Sequence, residues 1–435
     1  MSNTQPVAVP ARLRHDYDAL RAWLPRVHET VGALRATLPE DEAAARASLA
    51  SRLEIPRRQM LGSPWWLATL REHGLSPRDL QSLDDLRGFP TLARAELRRQ
   101  AHALPCFDPD SDEARQVVLI RSSGSTGEPV EVLKDTYDTL HMWAVLRFWL
   151  HALALPMPEQ PRVALLCALP GGLEYTSRLP AFNDGLLTRI SSVRERPLQR
   201  LLQADPQLLF SDPAGFHWLL AQPEAPRPLL ALSSAQYLAP EIRAQVEAQL
   251  GCPVLDYYST SETGAIAWRC PHAPGNWHVL TPEVWVEQLE GELVVTRLRD
   301  SVLPVIRYRT GDRGEVRFGR CACGRVGFSI TGFHGRRACN FVAPNGGLAD
   351  AWTLAWIFKY HDLEDFRLTQ TGVRDFELEV ASTAETAELL DKLQRALAHM
   401  GWPDPRVKLL RVEAITKQGA KPEPFRVASA LQARP

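Results

Sequence analysis

Arg121-Ser122-Ser123-Gly124-Ser125-Thr126-Gly127-Glu128-Pro129 sets two glycines three residues apart among four hydroxyl side chains. It follows directly on the apolar run Val117-Val118-Leu119-Ile120. A strand that runs into such a turn aims backbone N–H groups and hydroxyls at one point. Glycine tolerates the unusual φ angles and the close backbone approach this needs. Successive N–H groups then form an anion-binding concavity, so the chemistry open to this stretch is the wrapping of a polyphosphate. The spacing is neither the G-x-x-x-x-G-K-[ST] of a Walker loop nor the G-x-G-x-x-G of a dinucleotide turn. The competing reading is a solvent-exposed Ser/Gly hairpin.

Such a turn must be held by strands and helices behind it. Leu20, Trp23, Leu24, Val27, Val31, Leu34 and Leu38 recur at three- and four-residue spacing, which predicts helix across residues 15–50. Residues 64–105 read as short helical pieces separated by the Pro-marked turns Ser76-Pro77 and Phe89-Pro90. From Val117 to about Ala267 apolar runs alternate with helical patterns. Val163–Cys167 reads as a buried strand, Glu241–Leu250 as an amphipathic helix and Val254–Tyr258 as the next strand. That alternation predicts an α/β domain on a largely parallel sheet. Val284–Glu287, Glu292–Thr296 and Gly314–Phe318 read as short antiparallel strands. After Gly335 a small α+β segment follows, with Asn345-Gly346-Gly347 in a hairpin, a strand Phe376–Val380, a helix Thr386–Met400 and a strand Val407–Val412. The helix sets Leu389, Leu390, Leu393 and Leu397 on one face. The expected division is a large N-terminal domain, 1–332, and a small C-terminal domain, 333–435.

Composition excludes several classes. A hydrophobic content of 45% and a charged content of 23% over 435 residues are those of a globular protein. A net charge of −1 gives no footprint for nucleic acid. No apolar run reaches the roughly 18–20 residues that span a bilayer. Met1–Pro10 lacks the basic and apolar segments of a secretory signal, so the expected location is the cytoplasm. Seven cysteines, an odd number, argue against a disulfide framework.

Three further segments narrow the reading: Asp256-Tyr257-Tyr258-Ser259-Thr260-Ser261-Glu262-Thr263-Gly264, Tyr308-Arg309-Thr310-Gly311-Asp312, and Gly335-Arg336-Arg337. With the Ser/Gly stretch, in this order, they resemble the adenylate-forming superfamily and most closely its phenylacetate–coenzyme A ligase family. Ser63-Pro64-Trp65-Trp66, His73-Gly74-Leu75-Ser76, Ser82–Leu86 and Phe89-Pro90-Thr91 look like the aryl-acid branch. The resemblance implies a large α/β adenylation domain with a small β subdomain, and a mobile α+β C-terminal domain. It implies an ATP-dependent, AMP-forming ligase that adenylates a small aromatic acid and transfers the acyl group to coenzyme A. A phosphopantetheinyl carrier protein or an amine is the alternative acceptor. A degenerate nucleotide binder without turnover is the alternative function. Dimers are frequent in this branch.

The resemblance assigns roles by position. Ser122, Ser123, Gly124, Ser125, Thr126 and Gly127 would cradle the β- and γ-phosphates, and Glu262 would bind Mg²⁺. Asp312 would accept the ribose hydroxyls, Tyr258 would stack near the adenine, and Ser261 would lie by the α-phosphate. Arg336 would be a ribose- or phosphate-side cation near the hinge. Gly171 and Gly172, with Tyr175 or Tyr137, would line the acid pocket; the competing reading of Leu169–Tyr175 is a tight strand-to-helix turn. Without the joint pattern, Glu262 could be an N-capping acid, and Asp312 and Arg336 a surface ion pair. Cys321-Ala322-Cys323-Gly324-Arg325 resembles a zinc knuckle that, in the family, pairs with an upstream Cys and His. Cys270 with His278 or His272 is available for it, His278 matching the family position better. Three thiolates and an imidazole make a closed, structural Zn²⁺ set; the alternative is a set of free buried cysteines.

Departures from the pattern matter as well. Glu128 stands where a Lys is usual in the Ser/Gly stretch, Ser259 replaces a Gly, and Ala338-Cys339 replaces an acidic hinge pair. The C-terminal catalytic lysine is read as Lys421, with Lys417 second, in a spread, Pro-interrupted segment. These changes bear more on the transfer to coenzyme A than on adenylation.

Overall fold

The computed structural model describes residues 24–36, 39–99, 104–106, 117–121, 130–156, 158–167, 174–179, 182–192, 194–235, 238, 240–334, 339–354, 357–358, 363, 365–381, 386–413, 415 and 424–432. These fall into two compact units, the larger within 1–120 and 131–335 and the smaller within 121–130 and 336–435.

The larger unit opens with helices α1 (Leu24–Ala36), α2 (Glu42–Ala50), α3 (Glu54–Gly62), α4 (Pro64–Glu72) and α5 (Arg94–Arg99). Among the described residues of 15–50 the expected helical stretch forms α1 and α2, with Asp41 capping α2 by accepting the N–H of Ala44 at 2.8 Å. Leu20, Trp23 and Leu38 lie outside the described residues. Strands β1 (Val118–Arg121) and β2 (Glu131–Lys134) pair in a sheet of their own, and helix α6 (Thr136–Ala152) follows. Asp135 caps α6 through the N–H of Asp138, at 2.8 Å.

The next elements alternate: β3 (Arg162–Cys167), β4 (Tyr175–Leu179), β5 (Gly185–Ser191), α7 (Pro197–Ala204), β6 (Leu208–Ser211), α8 (Pro213–Leu220), β7 (Leu230–Ser233), α9 (Pro240–Leu250) and β8 (Val254–Thr260). Strands β5, β3, β6, β7 and β8 lie parallel in that order, each of β6, β7 and β8 entered through a helix. Parallel neighbours require such crossovers, and strands covered by helices become uniformly apolar. Leu208, Leu209, Leu230, Ala231 and Leu232 are accordingly buried whichever way they point. Leu166, Ile190, Phe216, Val246 and Leu250 close the core between strands and helices.

Past β8 every neighbour is antiparallel: β9 (Gly264–Arg269), β10 (Trp277–Val279), β11 (Val284–Leu289), β12 (Glu292–Arg297), β13 (Tyr308–Arg320) and β14 (Val326–His334). They continue the same twelve-stranded sheet, in the order β11-β12-β13-β14-β10-β9-β8-β7-β6-β3-β5-β4. β8 is therefore the strand where the pairing changes from parallel to antiparallel. In open α/β sheets ligands bind beyond the carboxyl ends of the parallel strands, and β8 is one of these.

In the smaller unit β15 (Asn340–Val342) and β16 (Leu348–Asp350) form a hairpin turned at Gly346, whose φ of +82° suits glycine. Strands β17 (Asp365–Gln370), β18 (Asp375–Ala381), β19 (Arg406–Arg411) and β20 (Phe425–Val427) form a sheet in the order β19-β18-β17-β20. Helix α10 (Ala387–His399) buries Leu389, Leu393 and Leu397 in a core with Phe341, Phe376, Trp402 and Phe425.

Candidate active site and a thiol–imidazole cluster

The carboxyl end of β8 turns through Ser261–Thr263 into β9. The turn is tied internally: Thr260 Oγ1 accepts the N–H of Thr263 at 3.0 Å and lies 2.8 Å from the Thr263 hydroxyl. Gly264 starts β9 at φ +77°, where a Cβ would come within 3.0 Å of Arg299 Nη2. Ser261 is half-buried in the turn, and Glu262 is 3% exposed. Arg94 Nη1 donates to Glu262 Oε1 at 3.0 Å.

Arg94 was not legible as a site residue, and a bridge between distant segments explains its placement. Leu92 N–H donates to Arg307 O at 3.0 Å, and Arg309 N–H donates to Leu92 O at 2.9 Å. The start of α5 is thereby laid against the start of β13. The Tyr308 phenol on β13 faces Glu262 and Arg94, its pKa raised well above normal by burial and then by the charge of Glu262.

Four residues further along β13 stands Asp312, 8% exposed. Tyr258 Oη donates to Asp312 Oδ2 at 3.0 Å, and Asp312 N–H donates to Thr310 Oγ1 at 3.1 Å. Burial, then the charge of Asp312, pushes the Tyr258 phenol well up. The Tyr258 ring packs on Phe333, with centroids 4.5 Å apart and planes inclined by 50°. Gly311 N–H donates to Glu292 Oε1 at 2.7 Å, and Arg309 pairs with Glu292 at 2.6 Å, which fixes the backbone beside Asp312.

Behind the Glu262 turn lies a buried ionic group. Arg297 and Arg299 both donate to Asp138 Oδ1, at 3.3 and 2.6 Å, and Ser301 Oγ donates to Asp138 Oδ2 at 2.6 Å. Burial alone would raise the Asp138 pKa, but Arg297, Arg299 and Lys134 hold it well below the usual carboxylate range. Lys134, the last residue of β2, is pushed down by burial, with Asp138 and Glu262 among the charges it faces.

The other expected site residues are distributed as follows. Tyr137 is buried on α6, bonded through its hydroxyl to Thr30, with Arg26 over its ring at 5.3 Å. Burial drives its pKa to about 12. Tyr175 is half-buried at the start of β4, the last strand of the large sheet. Ser122, Ser123, Gly124, Ser125, Thr126, Gly127, Gly171, Gly172, Arg336, Lys417 and Lys421 lie outside the described residues. What the structure brings together is Tyr258 with Asp312, and Glu262 with Arg94 and Tyr308.

At the far end of β9, Cys270, His278, Cys321 and Cys323 place their donor atoms within 4.8 Å of one another. Cys321 Sγ is 3.6 Å from Cys270 Sγ, and Cys323 Sγ is 3.4 Å from His278 Nε2. A tetrahedral ion with metal–sulfur bonds of about 2.3 Å has sulfur–sulfur edges of roughly 3.8 Å, so the donor set fits a four-coordinate metal. The imidazole in the cluster is His278, not His272. Burial, reinforced by Arg325, lowers the His278 pKa to about 4 and so favours the neutral form that binds metals. Burial raises the Cys270 thiol to about 12. Gly324, at φ +86°, closes the Cys321–Arg325 turn, with Cys321 N–H donating to Arg325 O at 2.8 Å.

The open sheet whose pairing switches at β8, carrying Glu262 and the Tyr258–Asp312 pair, has the fold of AMP-forming CoA ligases. Its fold is that of 2-hydroxyisobutyryl-CoA ligase crystallised with 2-HIB-AMP and CoA, at a TM-score of 0.57 and 17% identity over 91% of this chain and 92% of that one. The same ligase in the postadenylation state with R3-HIB-AMP gives a TM-score of 0.57 at 16% identity, over 90% of this chain and 91% of that one. In sequence the chain is 27% identical over 272 residues to a phenylacetate-coenzyme A ligase of Pseudomonas putida, covering 57% of this chain and 61% of the relative. A phenylacetate-coenzyme A ligase of Thermus thermophilus is 25% identical over 286 residues, covering 60% and 63%. In sequence the chain is similar to phenylacetate-coenzyme A ligases, at 25–27% identity. The match spans about three fifths of the length of these relatives. No protein-family profile matches the chain. Among the described residues, no helix is long and apolar enough to cross a membrane.

Proposed function

We propose that this protein is an ATP-dependent, AMP-forming acid–thiol ligase that activates a small aromatic carboxylic acid and passes the acyl group to coenzyme A. In the first step a carboxylate oxygen bonds to the α-phosphorus of ATP, and the bond to the bridging oxygen breaks to release pyrophosphate. In the second step the coenzyme A thiolate attacks the acyl carbon, and AMP leaves. Neither step requires a covalent bond to the protein, so the residues act by placement and charge.

The observation that carries this reading is the placement of Glu262 and the Tyr258–Asp312 pair at the carboxyl end of β8. Asp312, steadied by Tyr258, would accept the ribose hydroxyls. Ser122–Gly127, between the paired strands β1 and β2, would hold the β- and γ-phosphates. Ser261 would lie by the α-phosphate. Glu262 is a buried carboxylate and suits a hard cation, so it would hold Mg²⁺, with Arg94 sharing its charge. When bound, Mg²⁺ would neutralise charge on the phosphates. Arg336 and Lys421 would add cations from the chain beyond β14. The aromatic acid rests on the kinship with phenylacetate-coenzyme A ligases, with Gly171, Gly172 and a tyrosine lining its pocket. Cys270, His278, Cys321 and Cys323 would hold a structural Zn²⁺, since four protein donors leave no open coordination position. A reaction drawing on ATP and coenzyme A suits the cytoplasm.

The test is acid-dependent exchange of labelled pyrophosphate into ATP with Mg²⁺, across benzoates, hydroxybenzoates, phenylacetates, cinnamates and short aliphatic acids. Exchange with an aromatic acid, followed by thioester formation when coenzyme A is added, is the expected result. Exchange without thioester would shift the acceptor to a carrier-protein thiol or an amine. ATP binding without exchange would mark a nucleotide binder, and no ATP binding would end the reading.

A further inference from the structure

The turn that carries Glu262 is fixed from behind by side chains that the proposed chemistry does not itself use. Arg297 Nη1 donates both to Asp138 Oδ1 and to the carbonyl of Glu262, at 3.3 and 3.4 Å. Arg299 donates to the same carboxylate oxygen at 2.6 Å through Nη1, and to the carbonyl of Thr263 at 3.3 Å through Nη2. Two guanidiniums thus tie one carboxylate to two successive carbonyls of the turn. All three charged side chains are at most 3% exposed.

A buried ionic group of this kind is a poor device for stability alone. Desolvation consumes much of the Coulombic gain, and apolar side chains of similar volume would serve as well. What it supplies is geometry, since a guanidinium donates in a fixed planar fork. Asp138 lies in the first turn of α6, whose cap Asp135 directly follows β2, the strand that leaves the Ser/Gly stretch. The ionic group therefore connects the segment after that stretch to the turn that bears Glu262.

We propose that Asp138, Arg297 and Arg299 form a positioning clamp that sets the Glu262 turn for Mg²⁺-dependent adenylation. The clamp rests on the functional reading above for its consequence, but not for its existence. None of its members touches the reacting atoms; each acts through the backbone of the turn.

Two measurements on the full chain test it, using Arg299→Met, Asp138→Asn and the milder Arg299→Lys and Ser301→Ala. Phe216→Leu, a core change on α8, is the control for plain loss of stability. The first measurement is hydrogen–deuterium exchange over residues 260–264, which needs no activity. Arg299→Met should speed exchange there about tenfold, with Phe216→Leu leaving that stretch protected. The second is pyrophosphate exchange as a function of Mg²⁺. Arg299→Met should lower kcat about 100-fold and raise the Mg²⁺ requirement, with KM for the acid within about twofold of wild type. Arg299→Lys and Ser301→Ala should fall between. Unchanged amide exchange in Arg299→Met and Asp138→Asn overturns the clamp. Faster amide exchange with unaltered kcat and Mg²⁺ requirement overturns its role in adenylation. A wild-type protein that shows no pyrophosphate exchange with any of the acids defeats the functional reading instead, and the amide exchange still decides the clamp.

Discussion

The six residues of β9 separate two clusters built on opposite principles. At its start, the Glu262 turn is surrounded by ionic groups that already satisfy one another: Arg94 on Glu262, and Arg297 and Arg299 on Asp138. At its end, Cys270 joins three other donors whose mutual contacts are weak thiol hydrogen bonds at 3.4 and 3.6 Å. Charges of opposite sign can pre-organise a site with protein atoms alone. Thiols and a neutral imidazole share no such attraction, and their four donors could hold a metal ion. The first cluster should therefore respond to changes in side chains, and the second to changes in metal.

The largest expected effect follows from Glu262. Glu262→Gln keeps the shape and removes the charge, and should reduce Mg²⁺-dependent pyrophosphate exchange by about 100- to 1,000-fold. The melting temperature should change little by comparison, because Arg94, at the rim of the pair, is 26% exposed and can turn to water. A large loss of stability with a small loss of exchange would make Glu262 a structural acid.

The second cluster is broken by removing its thiols. Cys321→Ser with Cys323→Ser should abolish about one equivalent of tightly bound zinc, read by metal analysis of the purified protein. It should lower the melting temperature by about 5 °C while leaving pyrophosphate exchange within a few-fold of wild type. Protein purified without zinc, and equally stable, would show instead that the four donors meet for packing reasons.

These contrasts also explain what could be read in advance. Glu262, Asp312 and the Cys321–Cys323 knuckle sit in short motifs where residue types and spacing are themselves the signal. Arg94, Asp138, Arg297 and Arg299 sit in stretches without local pattern. They become important only because Leu92 bridges to Tyr308 and α6 meets the chain after β12. The alternating runs of β3, β8, β11 and β12 were visible as strands. In β13 only Gly314–Phe318 was, since the five residues after Tyr308, Arg309 to Arg313, include no apolar side chain and hide the two-residue period. The break between α1 and α2 was hidden for the opposite reason, as the apolar spacing runs on while Asp41 caps the second helix.

A third prediction extends the comparison along β8 to a carboxylate that has no such clamp. Asp256 is 3% exposed, and its Oδ2 lies 3.6 Å from Arg269, beyond good hydrogen-bond distance. Burial outweighs the arginines and raises its pKa from 3.8 to about 7. A raised carboxylate binds a proton more tightly in the folded state. Its contribution to stability is therefore full below pH 3.8 and is lost as pH rises to about 7. Melting temperatures across this window should fall less steeply for Asp256→Asn than for wild type. Equal slopes would mean that water or Arg269 keeps Asp256 ionised.

The smallest expected effect is the most discriminating about Asp312. In Tyr258→Phe the carboxylate loses the phenol that donates at 3.0 Å, while the ring can still pack on Phe333. A hydrogen bond of this kind contributes about 1 kcal/mol, so KM for ATP should rise roughly three- to tenfold. The kcat of exchange should hold, because the bond steadies a ribose acceptor and not the reacting phosphate. A KM that falls would reverse the argument: the phenol would then be competing with the ribose hydroxyls for Oδ2, and the observed pair would be a resting arrangement that ATP must displace. The same substitution in Glu262→Gln background should add independently, since the two acids are held by separate partners, Arg94 for one and Tyr258 for the other.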